Sequence, residues 1–216
     1  MHSEDREAST LDPELLARFE AIPAAVLSDV AERGRTMDAV IEPIDPETTV
    51  AGRARTVRAA PGDNLAIHRA ITLVEPSDVL VVDGEGYTET ASVGELMCAS
   101  CHAHGVEGMV VDGAIRDREE VARMGFPLFS RGLHPAGPKK EYEGAVDVPI
   151  SCGGVVVEPG DLVVGDADGV VVVRADDAPS ALVRARERLE RETELLDRVR
   201  SGEYLYDIGG YGEGGR

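Results

Sequence analysis

The stretch from Val93 to Asp117 constrains the fold of this chain more than any other segment. It reads as a helix closed by Gly105, an apolar strand over Val106–Asp112, and a glycine turn that ends in an Arg-Asp pair. An apolar run of this length, bounded by turns, is typical of a strand that is buried on both faces. Strands and helices alternate in this way up to residue 130, which predicts an α/β fold.

Three other segments define the expected extent of the sheet and its helices. The apolar run Asp78–Asp83 predicts a buried strand that ends at the turn Gly84–Gly86. Short strands separated by turns after residue 145 predict an additional antiparallel layer. A long helix is then expected over about 176–200.

The length and the absence of an obvious linker favour one domain rather than two. We predict stacked sheets with helices on an outer face over residues 11–201. Residues 1–10 are expected to be disordered, and residues 202–216 are expected to form a glycine-rich mobile tail.

The acidic composition excludes several classes of partner. The chain has 22 lysines and arginines against 41 aspartates and glutamates, a formal net charge of −19. Binding to nucleic acid or to an anionic membrane surface requires a basic face. The amino-terminal residues lack the apolar core of a signal peptide, and no apolar run is long enough to span a bilayer. Together with only three cysteines, these features predict a cytoplasmic protein that binds neither nucleic acid nor membranes.

Glu95 has two interpretations. Ser92 and Glu95 have the spacing of a capping box, in which the glutamate caps its own helix. The same helix start offers the backbone N–H groups of Gly94, Glu95, Leu96 and Met97 to a ligand carboxylate, and Gly94 permits a close approach. The sequence leaves both interpretations open.

Asp117 also has two interpretations. It stands three residues before Glu120, which is typical of a residue that caps the following helix. Arg116 and Asp117 also follow a strand directly, and ligands of open α/β sheets gather at the carboxyl ends of strands. Arginine binds carboxylates in a bidentate manner, and one aspartate with several waters suits Mg²⁺. If Glu95 lies beside this pair, the three residues form a site suited to a lyase.

The segment from Cys98 to His102 has the C-x-x-C-H spacing of c-type haem attachment. It falls within a predicted helix of a chain without an export signal, which argues against haem. Zinc is disfavoured because no second pair of cysteines or histidines follows at zinc-finger spacing. We therefore expect Cys98 and Cys101 to be small core residues.

Four motifs resemble those of the RraA-like family: PGDNLAIHRAI at 61–71, VGELM at 93–97, GMVVDGAIRD at 108–117 and VEPGDLVVGDADGVVVV at 157–173. The likeness spans about residues 15–200. This resemblance implies a β/β/α swivelling-domain fold. It also implies assembly as a homotrimer, or as a hexamer of two trimers, with active sites between subunits.

The resemblance also implies roles for individual residues. The substrate-binding backbone of the family falls on Gly94–Met97, its substrate-binding arginine on Arg116, and its metal-ligating aspartate on Asp117. An acid that acts through a metal-bound water falls on Glu95. A metal-site glutamate from the C-terminal helix of the neighbouring subunit falls on Glu192.

The RraA-like family includes 4-hydroxy-4-methyl-2-oxoglutarate aldolases, which also decarboxylate oxaloacetate. The hypothesis is therefore a class II lyase, dependent on Mg²⁺ or Mn²⁺, that forms pyruvate from a 2-oxo acid through a metal-stabilised enolate. The family also contains members without catalysis that bind the ribonuclease E machinery as inhibitors. A regulator of an RNA-processing enzyme is the alternative, and the strong negative charge, a property that RNA shares, is in its favour. A lyase that acts on a different 2-oxo acid is a third possibility, because the sequence assigns no residue to the distal group of the substrate.

Overall fold

The computed structural model describes residues 11–211 of the 216-residue chain. The predicted disordered segment over 1–10 lies outside the described residues, as do the last five residues of the tail predicted over 202–216. Within the described part of that tail, the backbone forms a helical turn over Leu205–Ile208.

Helices and strands alternate through the first part of the chain, as predicted. The α-helices of residues 11–211 are α1 (Pro13–Ala17), α2 (Ala24–Val30), α3 (Leu65–Ile71), α4 (Glu95–Ala103), α5 (Arg118–Met124), α6 (Ala178–Arg200) and α7 (Leu205–Ile208). The strands are β1 (Glu42–Pro43), β2 (Val50–Arg58), β3 (Asp78–Val93), β4 (Gly108–Ile115), β5 (Leu128–Leu133), β6 (Ala145–Val146), β7 (Ile150–Cys152), β8 (Val155–Val157), β9 (Leu162–Asp166) and β10 (Gly169–Val173).

One mixed sheet runs through the centre of the described structure. Its strand order is β1-β5-β4-β3-β2-β9-β10, and β6 pairs with β2. Strands β2 to β5 are parallel to one another, whereas β9 and β10 extend the sheet in antiparallel fashion. The expected additional layer is therefore only the separate hairpin of β7 and β8. Strand β9 joins the main sheet because residues 162–165 are all buried and need cover on both faces.

The side chains of β3 alternate between two apolar clusters, one on each face of the sheet. Leu80 and Val82 pack with residues of α3, α4 and α5. Val79 and Val81 pack with the β7–β8 hairpin. A third cluster lies against β9 and β10 and is covered by α1, α2 and α6. The predicted arrangement of stacked sheets with outer helices is confirmed.

Strand β3 continues beyond the turn at which the sequence predicts its end. Pairing with β4 is interrupted after Asp83 and resumes at Tyr87, and it continues to Val93. The glycine-containing segment is therefore an irregularity inside one long strand. Glycine is needed at position 84 because β4 approaches closely there: an added Cβ would lie 2.8 Å from the carbonyl oxygen of Asp112. This continuation is what brings the start of α4 beside the end of β4.

Only the first half of α6 packs against its own domain. Its buried residues lie in the first eight positions, and none is buried from Arg186 onward. The second half exposes apolar side chains at Leu196 and Val199. None of the helices in the described part of the chain is both long and apolar enough to cross a membrane.

Candidate active site at the start of helix α4

The turn after β4 and the start of α4 lie side by side. The last register pair between β3 and β4 joins Val93 and Ile115, and the N–H of Arg116 donates to the carbonyl of Val93 at 3.0 Å. The N–H of Glu95 donates to Oδ2 of Asp117 at 3.1 Å. The structure thus brings Glu95, Arg116 and Asp117 together at the carboxyl ends of parallel strands, the place where open α/β sheets bind ligands.

Glu95 does not form the capping box that its spacing from Ser92 permits. Helix α4 begins after Gly94, which provides no side-chain cap. Ser92 is still part of β3, and its hydroxyl donates to the carbonyl of Ala114 at 3.3 Å. The capping interpretation is therefore wrong, and Glu95 lies on the exposed side of the helix start.

Two of the four backbone N–H groups predicted to bind a carboxylate are already used. The N–H of Glu95 binds Asp117, and that of Met97 donates to the carbonyl of Gly94 at 3.1 Å. The N–H groups of Gly94 and Leu96 have no acceptor within residues 11–211. The helix start therefore offers two donors, at the positive end of the helix dipole.

Asp117 has a left-handed backbone conformation, with φ 60° and ψ 38°. Aspartate tolerates this region better than most residues do. Asp117 precedes α5, but its side chain makes no hydrogen bond to that helix. The interpretation of its side chain as a cap of α5 is therefore wrong, because the backbone turn directs the carboxylate to Glu95 on α4 instead.

Arg116 and Asp117 pack against two glycines. The Nε atom of Arg116 lies 3.6 Å from Oδ2 of Asp117, and both side chains are partly exposed. A Cβ added at Gly94 would lie 2.5 Å from Oδ2 of Asp117, and one added at Gly137 would lie 3.1 Å from Nη1 of Arg116. Glycine at these positions lets the backbone approach the charged pair closely.

An open cleft of about 410 Å³ contains this charged pair. It is lined by Ile115, Arg116, Asp117, Arg118, Leu133, His134 and Pro135. Roles for Arg118 and His134 were not predicted from the sequence. The signal that identifies His134 is its place after β5, because β5 is the parallel neighbour of β4 and its carboxyl end lies at the same edge of the sheet.

Asn64 of the PGDN motif contacts residues on both sides of the start of α4. The Asn64 amide nitrogen donates to the carbonyl of Ser92 at 2.9 Å and contacts the sulfur of Met97 at 3.4 Å. The Asn64 side-chain oxygen is buried without a hydrogen-bond partner in the described structure. Asn64 is therefore a positioning residue for the segment that carries the two available N–H donors.

Cys98 and Cys101 are both free and fully buried in the apolar cluster beneath α4. Burial raises the pKa of Cys98 to about 12, with smaller contributions from the charges of Cys101 and Asp117. Burial likewise raises the pKa of Cys101 to about 12. These thiols are core residues, as predicted, and they supply no nucleophile to the cleft.

The RraA-like family model, described as Aldolase/RraA, matches residues 24–172. The chain belongs to the RraA-like family. A relative from Halalkalibacterium halodurans, provisionally named a 4-hydroxy-4-methyl-2-oxoglutarate aldolase, is 39% identical over 195 residues, which cover 88% of this chain and 93% of the relative.

Two solved structures of similar proteins confirm the RraA-like fold. An uncharacterised protein from Pseudomonas syringae pv. tomato has a TM-score of 0.81 and 30% identity, covering 91% of this chain and 97% of that one. RraAS2 from Streptomyces coelicolor, described as an unusual member of the RNase ES inhibitor RraA family, has a TM-score of 0.76 and 32% identity, covering 88% of this chain and 98% of that one.

The donor set of the RraA-like site suits a hard cation that keeps several waters. No group of three or more His, Cys, Asp or Glu side chains within residues 11–211 surrounds a common metal position. Asp117 contributes one carboxylate, and its Oδ1 atom accepts no hydrogen bond from the described residues. Mg²⁺ commonly binds through one or two carboxylates and completes its shell with water and substrate oxygens. The residues present fit such an ion.

Glu192 lies on α6 and does not join the cleft of its own chain. Its carboxylate accepts a hydrogen bond from Nε of Arg188, and Nη2 of Arg188 donates to Asp29 of α2 at 2.7 Å. Helix α6 packs on the part of the sheet formed by β9 and β10, away from α4. The role predicted for Glu192, in the site of a neighbouring subunit, stays a prediction.

Proposed function

We propose that this RraA-like protein is a divalent-metal-dependent class II lyase. It cleaves a carbon–carbon bond of a 2-oxo acid and forms pyruvate, by retro-aldol cleavage of 4-hydroxy-4-methyl-2-oxoglutarate and by decarboxylation of oxaloacetate. The observation that carries this proposal is that Arg116 and Asp117 line one cleft and that Asp117 is hydrogen-bonded to the start of α4. The provisional name of the Halalkalibacterium relative supports the aldol cleavage in this proposal.

Substrate binding uses groups that the structure leaves available. The N–H groups of Gly94 and Leu96 are two donors at the start of α4, and they bind the carboxylate of the 2-oxo acid. The guanidinium of Arg116 lies beside them and faces the C2 oxygen. These contacts orient the bond to be cleaved, and this orientation lowers the entropic part of the barrier.

Asp117 holds Mg²⁺ or Mn²⁺ in this proposal. When bound, the ion supplies Lewis-acid stabilisation of negative charge on the C2 oxygen. Asp117 is suited to this role because the N–H of Glu95 occupies Oδ2 and leaves Oδ1 for a ligand.

Bond cleavage places an electron pair on the substrate, and the fixed positive charge of Arg116 stabilises it. When the C3–C4 bond of oxaloacetate breaks, carbon dioxide leaves, and the bonding pair forms the enolate of pyruvate. Arg116 stabilises the charge on the C2 oxygen, and a proton then adds to C3. The same site serves both reactions because both form this enolate.

Retro-aldol cleavage requires one more group than decarboxylation does. The C4 hydroxyl of 4-hydroxy-4-methyl-2-oxoglutarate must lose its proton as the C3–C4 bond breaks, and the products are two molecules of pyruvate. Glu95 accepts this proton through an intervening water, because its backbone N–H is bonded to Asp117 and its side chain is exposed at the helix start.

The assembly belongs to the same proposal. A homotrimer, or a hexamer of two trimers, brings Glu192 of a neighbouring subunit to the metal side of the cleft. The second half of α6 lacks buried residues in its own chain, and Leu196 and Val199 are exposed, which supports contact with another subunit.

Pyruvate release tests the proposal directly. The purified protein is assayed with oxaloacetate and with 4-hydroxy-4-methyl-2-oxoglutarate, in Mg²⁺, in Mn²⁺ and in EDTA, and the rate with metal alone is subtracted. We expect metal-dependent release from both substrates, and we expect the release to be lost in Arg116→Ala. The absence of release from both substrates by folded, metal-supplied protein would contradict these activities and favour another 2-oxo acid or the second candidate.

The second candidate is a regulator that binds an RNA-processing ribonuclease. The observation in its favour is the similarity to RraAS2, whose description places it in an RNase ES inhibitor family. A regulator needs a surface rather than a metal ligand. Inhibition of a purified ribonuclease E-type enzyme by both the wild type and Asp117→Asn, without lyase activity, would establish this candidate instead.

A further inference from the structure

The cleft carries more positive charge than the chemistry at Arg116 and Asp117 uses. Among the described residues, its lining includes two cations, Arg116 and Arg118, and the hydrogen-bonding side chain of His134, but only one carboxylate, that of Asp117. The chain as a whole has a formal net charge of −19, so the charge of this lining is opposite in sign to the net charge of the protein. A cleft of this kind attracts an anion with more than one negative group.

His134 is held by its own loop in a defined orientation. Its backbone N–H donates to the carbonyl of Ile115 at 3.0 Å. Its Nδ1 atom accepts the N–H of Ala136 at 3.1 Å, so the neutral ring carries its proton on Nε2. No described residue accepts a hydrogen bond from that Nε2–H. The ring therefore presents one fixed donor that has no acceptor among residues 11–211.

Arg118 is fixed in a comparable way. It is the first residue of α5, and its Nε atom donates to the carbonyl of Ile44 at 3.1 Å. This bond anchors the guanidinium, while its two terminal nitrogens have no hydrogen-bond acceptor within residues 11–211. An anchored arginine with free terminal nitrogens matches the two oxygens of a carboxylate.

We propose that Arg118 and His134 form a subsite for the second carboxylate of a 2-oxo dicarboxylic acid. This inference rests on the proposed function, which places the 2-oxo acid end of the substrate at Arg116 and the start of α4. The subsite determines specificity: it favours dicarboxylates whose second carboxylate stays intact in the reaction, such as 4-hydroxy-4-methyl-2-oxoglutarate, over 2-oxo monocarboxylates of similar length. The volume of about 410 Å³ accommodates such a molecule.

Two variants remove the donors with little disturbance of the backbone. His134→Asn keeps an acceptor near the position of Nδ1 for the N–H of Ala136, but it removes Nε2–H. Arg118→Gln removes the cationic fork, and Arg118→Lys is the conservative variant that keeps the charge. Arg123→Gln on the same helix is the matched control, because Arg123 pairs with Glu120 and does not line the cleft.

Kinetics with two substrates distinguish an effect on binding of the second carboxylate from an effect on the chemistry at Arg116 and Asp117. We expect the KM for 4-hydroxy-4-methyl-2-oxoglutarate to rise about tenfold in His134→Asn and in Arg118→Gln, as for the loss of one charge-assisted hydrogen bond. Arg118→Lys should recover part of this loss. Solvent exchange of the pyruvate methyl protons in D₂O also requires the enolate but involves no second carboxylate, and it should change less than about threefold. Unchanged KM values in both variants, or parallel losses in both assays, would overturn the subsite.

Binding without turnover keeps the subsite testable if the proposed function fails. Isothermal titration with 2-oxoglutarate and with 2-oxopentanoate compares a dicarboxylate and a monocarboxylate of the same carbon number directly. We expect the wild type to prefer 2-oxoglutarate and both variants to lose the preference. Equal affinities in the wild type would refute the subsite, whereas a wild-type preference lost in the variants would support it even if no pyruvate is released.

Discussion

The carboxylate of Asp117 is bonded to the start of a helix other than the one that Asp117 precedes. Its Oδ2 atom accepts the N–H of Glu95 at 3.1 Å, whereas its own helix α5 receives no side-chain cap. One acidic side chain therefore connects the end of β4 to the start of α4. This bond also fixes the carboxylate that we propose as the metal ligand, beside Arg116.

Two substitutions of Asp117 separate its structural role from its chemical role. Asp117→Asn keeps an oxygen for the N–H of Glu95, so the free energy of unfolding should change by less than about 1 kcal/mol. Asp117→Ala removes the bond and should cost about 1–2 kcal/mol. Both should lower lyase activity by about 100-fold or more, because neither side chain carries the charge that holds the cation. Urea unfolding and pyruvate release measure the two effects, and near-normal turnover in Asp117→Asn would refute the assignment.

Gly94→Ala tests the close packing around the charged pair. The backbone of Gly94 is extended, with φ −155°, so alanine is acceptable in conformation and only sterics matter. The new Cβ would lie 2.5 Å from Oδ2 of Asp117 and must displace it. We expect a loss of about tenfold or more in kcat/KM and about 1–3 kcal/mol in stability.

Gly132→Ala provides the matched control for that substitution. Its added Cβ would meet only the methyl group of Thr88, at 3.9 Å, which is an ordinary contact. Steady-state kinetics and thermal unfolding of the two variants should therefore differ clearly. Equal activity in Gly94→Ala and Gly132→Ala would show that the position of Asp117 is not critical.

Mixing of two inactive variants tests whether Glu192 completes the site of another subunit. Glu192→Gln breaks only an exposed pair with Arg188 and should change stability by less than about 0.5 kcal/mol, yet it should abolish activity. Co-refolding of Glu192→Gln with Asp117→Asn in equal amounts should restore about one quarter of wild-type activity, since a site built from two chains is intact with that frequency. Full activity in Glu192→Gln alone, or no recovery after mixing, would place the site within one subunit.

Asp63 should make stability depend on pH in the acid range. Burial raises the pKa of Asp63, but hydrogen bonds from the backbone N–H groups of Leu65, Glu141 and Tyr142 outweigh burial and lower it below its ordinary value. A lowered folded pKa means that the stabilisation is present above the unfolded pKa of about 3.9 and is lost as pH falls through the folded pKa. The stability advantage of the wild type over Asp63→Asn should therefore shrink from pH 5 downward.

Denaturant unfolding at several pH values checks this sign. Asp168→Asn is the control, because Asp168 is exposed in a turn and its side chain makes no hydrogen bond to the described residues. A difference between wild type and Asp63→Asn that stays constant or grows toward low pH would show that the hydrogen bonds to Asp63 do not favour its charged form.

Local sequence patterns predicted the main helices and strands and the family. Two segments show why these predictions succeeded. The continuous apolar run of Val79–Val82 lies in a strand covered on both faces, and Cys98 and Cys101 lie in the core. The same patterns misplaced the end of β3 at Gly84, because a glycine-rich irregularity inside a strand and a turn have the same composition.

Some features of the fold and the candidate site follow from the sequence alone, and others follow only from the tertiary structure. By itself, the sequence determined the α/β class and the place of Arg116 and Asp117 after a strand, because these follow from local periodicity and spacing. Only the tertiary structure showed that the side chain of Asp117 does not cap α5, and only it brought His134 and Arg118 into the same cleft. The physical reason is that side-chain direction depends on a left-handed turn and on the pairing of distant strands, and neither is encoded in the spacing of neighbouring residues.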